Sequence, residues 1–315
     1  MDRREWYNLS KFLRALFLFS IPFVLVAGIL EFQLRKVVNH YQAKHDYFEQ
    51  RRLLVEVLVL GTSQANFGID ADELGRPAFN LAMPSQSLVV DAQLVTKYIS
   101  SLPKLKVVIL PIDYLSMPHV IDGSIEDWRN HYYIRYFHIA GDGSWLDRYS
   151  PRNYSLIALY KPNIVFDFVK KGFHVNLVEH LHESGWDEKG AGLTASSTEQ
   201  EALGLLATHH SMMSLDGVSG NRTALFEMIA VLRSHHVQVL LVTLPVQPAY
   251  RAHLDARYLA VMRETITMLR ARYALPYFDY SADSRFNFSD FIDTHHLSSA
   301  GAHKFSRVLA TEVLR

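Results

Sequence analysis

The chain has 315 residues, close to half of them hydrophobic and one fifth charged, which suffices for a full core and excludes a disordered or fibrous protein. Thirty-two basic residues balance thirty-two acidic ones, so no net field draws the chain to nucleic acid. Cysteine is absent, which rules out disulfides, thiolate metal sites and a cysteine nucleophile.

The first predicted element is a membrane helix over residues 12–34. Ala15 to Leu30 is a run of sixteen uncharged residues, and Phe12 and Leu13 lengthen it beyond Arg14. A bilayer core takes roughly 20 residues to cross, so Arg14 has to snorkel to the interface. Arg3, Arg4, Lys11 and Arg14 precede the run, and the positive-inside rule then leaves residues 1–11 as a cytoplasmic tail. Pro22 is tolerated in a membrane helix. The rival readings are a cleaved signal peptide, for which Val26-Ala27-Gly28 is a poor cleavage site, and a buried core helix; an uncleaved signal anchor is expected. No second apolar run of that length follows. The expected location is a single-pass protein of the inner (cytoplasmic) membrane, its soluble domain on the periplasmic or extracellular side.

Residues 35–52 are polar and helix-compatible and read as a stalk. The domain proper is expected over 53–315. Apolar runs at 53–61, 106–112 and 237–245 are rich in Val, Leu and Ile and end at Gly or Pro, as buried parallel strands do; a short strand follows at 275–280. Helical patterns at 87–102, 222–236, 254–273 and 298–314 alternate with them. This predicts an α/β fold, a three-layer α/β/α sandwich around a mostly parallel sheet. An insertion of about 118–222 interrupts it. The insertion is aromatic-rich over 127–149, helical over 153–173 with a break at Pro162, and a Gly/Ser/Thr-rich loop over 183–200. Such a length suggests a ligand cleft or a partner surface.

Open parallel sheets bind ligands beyond the carboxyl ends of their strands. Ser63, in "VLVLGTSQANFG", sits there. Alone it reads equally as the start of a capped helix. In "FIDTHHLSSAGAHKF", Asp293 and His296 are three residues apart, a spacing that puts two side chains on one face of a helical turn. A carboxylate so placed fixes the tautomer of the imidazole, whose other nitrogen can take a proton from a hydroxyl. A serine hydroxyl needs that help, being a weak nucleophile at neutral pH. The alternative makes Asp293 or Ser298 a helix cap and His296 a surface residue.

"LGTS" at one end and "DTHH" at the other together resemble the SGNH (GDSL-like) hydrolase superfamily. More narrowly, "GTSQANFGID", "FNLAMPSQS", "LPID", "TLPVQPAY" and "DTHHLSSAGAHKF" resemble its membrane-anchored branch that modifies cell-surface polymers. That branch includes the teichoic-acid D-alanylation protein DltD and the alginate O-acetylation proteins. The resemblance covers roughly residues 53–315. It implies an SGNH/flavodoxin-like fold, Ser63 as nucleophile, His296 as general base and acid, and Asp293 as the residue that orients His296. It also implies an oxyanion hole built from a glycine amide of the second block and an asparagine of the third. The candidates here are the Ser63 amide, Asn80 and the backbone of residues 85–87, with Ser85 in the glycine's place and Gln86 beside it. Here the chain departs from the family pattern. Asp113 stands in "PIDY" where a donor asparagine is expected, and a carboxylate repels an oxyanion.

Sixteen histidines raise the question of a metal. The His-His pairs at 209–210, 235–236 and 295–296 lack the i, i+4 spacing that presents two ligands on one face, so no metal site and no cofactor are expected. His295 is expected to line the cleft. The aromatic residues Trp128, Tyr132, Tyr133, Tyr136 and Trp145 suit either sugar stacking or core packing. The expected activity is O-acyl transfer to a cell-surface polymer or exopolysaccharide through an acyl-serine, with an acyl donor and a membrane-bound O-acyltransferase as partners. An esterase and a non-catalytic polymer- or partner-binding scaffold are the alternatives.

Overall fold

The computed structural model describes residues 3–189 and 198–314, so residues 190–197 of the expected loop lie outside the described residues. The chain divides into two compact units, Met1–Asn39 with Tyr149–Leu177, and His40–Arg148 with Val178–Arg315.

In the first unit a single helix, Arg3–Leu34, runs through both the expected tail and the expected span. It is long and apolar enough to cross a bilayer, and none of its most apolar window is buried in the protein. Near its end Glu31 accepts hydrogen bonds from Leu156 N (2.8 Å), Ser155 Oγ (3.1 Å) and Ile157 N (3.3 Å). Those groups open the short helix Leu156–Leu159, whose first N–H groups have no partner of their own. Pro162 begins the next helix, Pro162–Lys170, where its missing N–H is no loss. The predicted break therefore falls where expected.

The second unit is built on five parallel strands: β1 (Val57–Val59), β2 (Ala78–Asn80), β3 (Val107–Pro111), β4 (Gln238–Thr243) and β5 (Tyr277–Asp279), in the order β2-β1-β3-β4-β5. Strand side chains alternate between faces. Val57, Val59, Val107, Ile109, Leu240 and Val242 pack with Phe305 and Leu309 of helix Ser299–Glu312. That helix also lies against helix Ser63–Gly68. Leu58, Val108 and Leu241 are buried on the opposite face, the layer in which helices Leu88–Tyr98 and Gly217–Ser234 pack together. The result is the expected α/β/α sandwich. The strand order reverses between β1 and β3, and such a switch point opens a crevice above the sheet.

Three features differ from expectation. Strand β2 was not predicted: it is three residues long, and only Phe79 among them is a large apolar residue. Residues 40–51, expected within a stalk, form helix His40–Arg51 with Tyr41, Ala43, Lys44 and Phe48 buried, so the α/β unit starts at His40 and not at residue 53. Phe48 packs against Phe79 (5.0 Å between ring centres) and Tyr98 (4.9 Å). The insertion also returns to the sheet. Ser184 O accepts from Asn80 N at 2.8 Å, and the fully buried Trp186 donates from Nε1 to Phe67 O at 2.8 Å. Of its aromatic residues, Tyr132 and Tyr133 belong to the core beside Tyr41, whereas Trp145 is 69% exposed.

Candidate active site

Beyond β1 the chain turns sharply. Gly61 adopts φ +111°, a conformation that side-chain-bearing residues rarely take, and Thr62 returns to extended geometry as the cap of helix Ser63–Gly68. Ser63 is the first residue of that helix, so its N–H has no acceptor within it. Thr62 Oγ1 donates to Asp113 Oδ2 at 3.4 Å.

Residues 293–296 are a tight turn, not the helical turn that the spacing suggested. An antiparallel bridge between Phe291 and Leu297 closes it, with Ile292 N donating to His296 O at 3.0 Å. Asp293 Oδ1 accepts from the amides of His295 (2.8 Å) and His296 (2.7 Å) and holds the turn from inside. The helix-capping role falls to Ser298, which accepts from Gly301 N at 3.3 Å. Gly301 lets that helix approach closely, because a Cβ there would stand 2.0 Å from Asp290 O.

The two ends of the chain meet here. His296 Nδ1 lies 2.8 Å from Asp293 Oδ2, and His296 Nε2 lies 2.8 Å from Ser63 Oγ. Burial alone would raise the Asp293 carboxyl. The His296 ring hydrogen bond, the His296 charge and the two turn amides outweigh it and hold the group at about 2. The Phe67 ring packs edge-on against His296 at 5.5 Å.

Two glutamines that the sequence did not single out clamp this turn. Gln64 Nε2 donates to His295 O (3.2 Å), and Gln247 Nε2 donates to Asp293 O (3.1 Å). Gln247 lay inside the block "TLPVQPAY", but nothing in its type or spacing marked its target. Behind His296 stand His295 (4.5 Å), then His209 and Tyr250, each 4.8 Å from His295. Burial pushes the His295 imidazole well below its usual range and that of His209 down to about 3, so both are neutral at pH 7. Of these three imidazoles, only His296 is bonded to a carboxylate.

The other candidates fall differently. Asn80 is buried, and both of its amide protons are engaged, by Ala65 O and Ile69 O at 2.8 Å each, so it ties β2 to the Ser63 helix and has no donor left for an oxyanion. Gln86 is likewise buried. It donates to Asp91 Oδ1 (2.6 Å) and accepts from Tyr133 Oη (2.9 Å), which makes it a support of its own loop. Ser85 is partly exposed at φ +56°, in the left-handed region that favours glycine, and its carbonyl lies 2.9 Å from His119 Nε2. Asp113 is a turn cap: its Oδ1 accepts from Leu115 N, Ser116 N and Ser116 Oγ within 2.9 Å, and burial raises its pKa.

His295 and Gln64 line a cavity of about 520 Å³ beside Asp113, Leu244 and Tyr250; Ser63 and His296 do not line it. Asp70, Glu73 and His303 come close enough together to hold a cation, but Arg307 already bonds both Glu73 oxygens at 2.8 Å.

No family model matches this chain, and no curated protein does. The chain is distantly similar to some solved structures. A putative acylhydrolase from Bacteroides fragilis NCTC 9343 is 12% identical, with 85% of this chain and 96% of that chain covered and a TM-score of 0.39. A GDSL-like lipase from Bacteroides thetaiotaomicron VPI-5482 is 9% identical over 85% and 95%, TM-score 0.39. A carbohydrate acetylesterase family member from Sinorhizobium meliloti is 10% identical over 81% and 96%, TM-score 0.35. The bond geometry, not these likenesses, carries the functional reading.

Proposed function

We propose that the chain is a membrane-anchored acyl-transfer enzyme that works through an acyl-serine. The observation that carries this reading is the unbroken hydrogen-bonded series Ser63 Oγ, His296 Nε2, His296 Nδ1, Asp293 Oδ2. Asp293 keeps the proton of His296 on Nδ1, so Nε2 is free to accept from the serine. Ser63 Oγ then attacks the carbonyl carbon of an acyl ester while its proton passes to Nε2. Collapse of the tetrahedral intermediate breaks the ester C–O bond, and Nε2 returns that proton to the leaving alcohol. A second hydroxyl, deprotonated by the same nitrogen, attacks the acyl-serine and regenerates Ser63.

The developing oxyanion needs donors already in place. The Ser63 amide supports that role by its position at the helix start, and the Ser85 amide by a backbone geometry that glycine would otherwise supply. A sugar hydroxyl of a cell-surface polysaccharide is the proposed acceptor. The apolar helix Arg3–Leu34 favours it, because it would hold the site beside membrane-delivered donors and nascent polymer on the outer side of the inner membrane. A membrane-bound O-acyltransferase would then supply the acyl group. An esterase is the second reading, favoured by the 40% exposure of the Asp293 side chain, which leaves water beside the triad.

The two readings separate when the full chain is given an acetyl ester with and without oligosaccharides. Acetylated sugar formed at the expense of free acetate supports transfer. Acetate release that sugars leave unchanged, with no acylated sugar, establishes the esterase instead.

A further inference from the structure

Lys44 is the most unusual side chain near the site. It belongs to helix His40–Arg51, and it is fully buried although lysine is almost never so. Its Nζ donates to Asn66 Oδ1 at 2.5 Å and to Ala82 O at 2.6 Å. Asn66 lies one turn along the helix that starts at Ser63. Ala82 lies in the loop that leads from β2 to Ser85, and its N–H is held by Asn80 Oδ1 at 3.0 Å. One ammonium group thus joins the segment carrying the nucleophile to the segment carrying the proposed oxyanion donor.

The surrounding charges are few. The insertion contributes Asp187, whose Oδ2 accepts from Asn66 Nδ2 at 3.2 Å and whose negative charge favours the ammonium. His40, one turn earlier on the same helix, stands 3.6 Å from that carboxylate, and its charge and that of Lys44 oppose each other; His180 of the insertion faces His40 in turn. The Ser63 helix and the 82 loop meet Lys44 with neutral amide and carbonyl oxygens.

We infer that Lys44 is a positioning residue of the active site, fixing the distance between Ser63 and the Ser85 backbone through charge-assisted bonds to Asn66 and Ala82. The inference rests on Ser63 being the nucleophile and Ser85 an oxyanion donor. A neutral amine still reaches both oxygens, but charge-assisted bonds are roughly twice as strong as neutral ones, so the clamp loosens when the proton leaves. Burial pushes the Lys44 ammonium down to about 7, with Asp187 opposing, which places that loosening within the working range of pH.

The test uses the full chain in detergent micelles and the rate at which a fluorophosphonate labels Ser63 from pH 5 to 9.5. The clamp predicts a rate that leaves a plateau and declines on the alkaline side. In Lys44→Met the rate should fall about tenfold or more and the alkaline decline should vanish. For a reporter ester the loss should lie in kcat, with KM within about twofold, and Lys44→Arg should recover part of it. A wild-type profile that stays on its plateau to pH 9.5 overturns the inference, whether or not the variants fold. So does a folded Lys44→Met that labels at the wild-type rate with the wild-type profile. Failure of wild-type Ser63 to label at any pH would instead remove the nucleophile, and the inference with it.

Discussion

Gln64, the residue after the proposed nucleophile, donates to the carbonyl of His295, the residue before the proposed base, at 3.2 Å. This bond ties the two ends of the chain together directly beside Ser63 and His296. A misplacement of about 1 Å can cost a factor on the order of 10² in rate. Gln64→Met keeps the volume and removes the tie. It should lower kcat for a reporter ester by about tenfold while leaving KM nearly unchanged, in steady-state kinetics.

Asp293→Asn keeps the shape of the proposed triad but removes the charge beside His296. A loss in kcat on the order of 10⁴ is expected, as for a triad deprived of its carboxylate. The same change alters acid stability. The Asp293 carboxyl is held at about 2 in the folded chain, below its ordinary value, so its contribution is complete above pH ~4 and is lost as pH falls towards 2. Thermal melts of the wild type between pH 5 and 2 should fall more steeply than those of the Asn variant. Parallel curves would remove Asp293 from the account.

Phe48 tests where the α/β unit begins. A residue on a solvated stalk tolerates change within about 0.5 kcal/mol. Phe48, fully buried between Phe79 and Tyr98, should cost about 3–5 kcal/mol as Ala, read from the denaturant midpoint of the full chain.

Gly301→Ala puts a Cβ 2.0 Å from the Asp290 carbonyl. The helix or the turn must shift, which should destabilise the fold by about 1–3 kcal/mol in the same denaturation experiment. Because that helix begins just after the turn that carries Asp293 and His296, kcat should fall in the same variant if that turn is catalytic as proposed.

Much of this was legible in the sequence, and what was not has physical reasons. Strands β1, β3 and β4 showed as runs of Val, Leu and Ile. That Ser63, Asp293 and His296 come within hydrogen-bonding reach of one another was legible from their residue types, the i, i+3 spacing and the family resemblance. The packing of helix His40–Arg51 into the α/β unit was hidden by its own lysine: its buried stripe runs Tyr41, Lys44, Phe48, and a charged residue in the middle makes an apolar face look solvated. Strand β2 is no shorter than β1 or β5, but Phe79 is its one large apolar residue, so no apolar run marked it. Residue type reveals the side-chain amide of Asn80 but not that both of its protons are already engaged. The Asp293–His296 spacing gave the right partners through the wrong local structure, since a tight turn and a helix both bring residues three apart to one side.

The central claim is that Ser63 is a nucleophile activated by His296, and covalent trapping tests it most directly. Full-length protein in detergent is treated with a fluorophosphonate at neutral pH, digested, and mapped by mass spectrometry. One adduct on Ser63 is predicted, absent in Ser63→Ala and formed far more slowly in His296→Ala. A folded wild-type chain that carries no adduct on Ser63, or labels equally fast without His296, would contradict it.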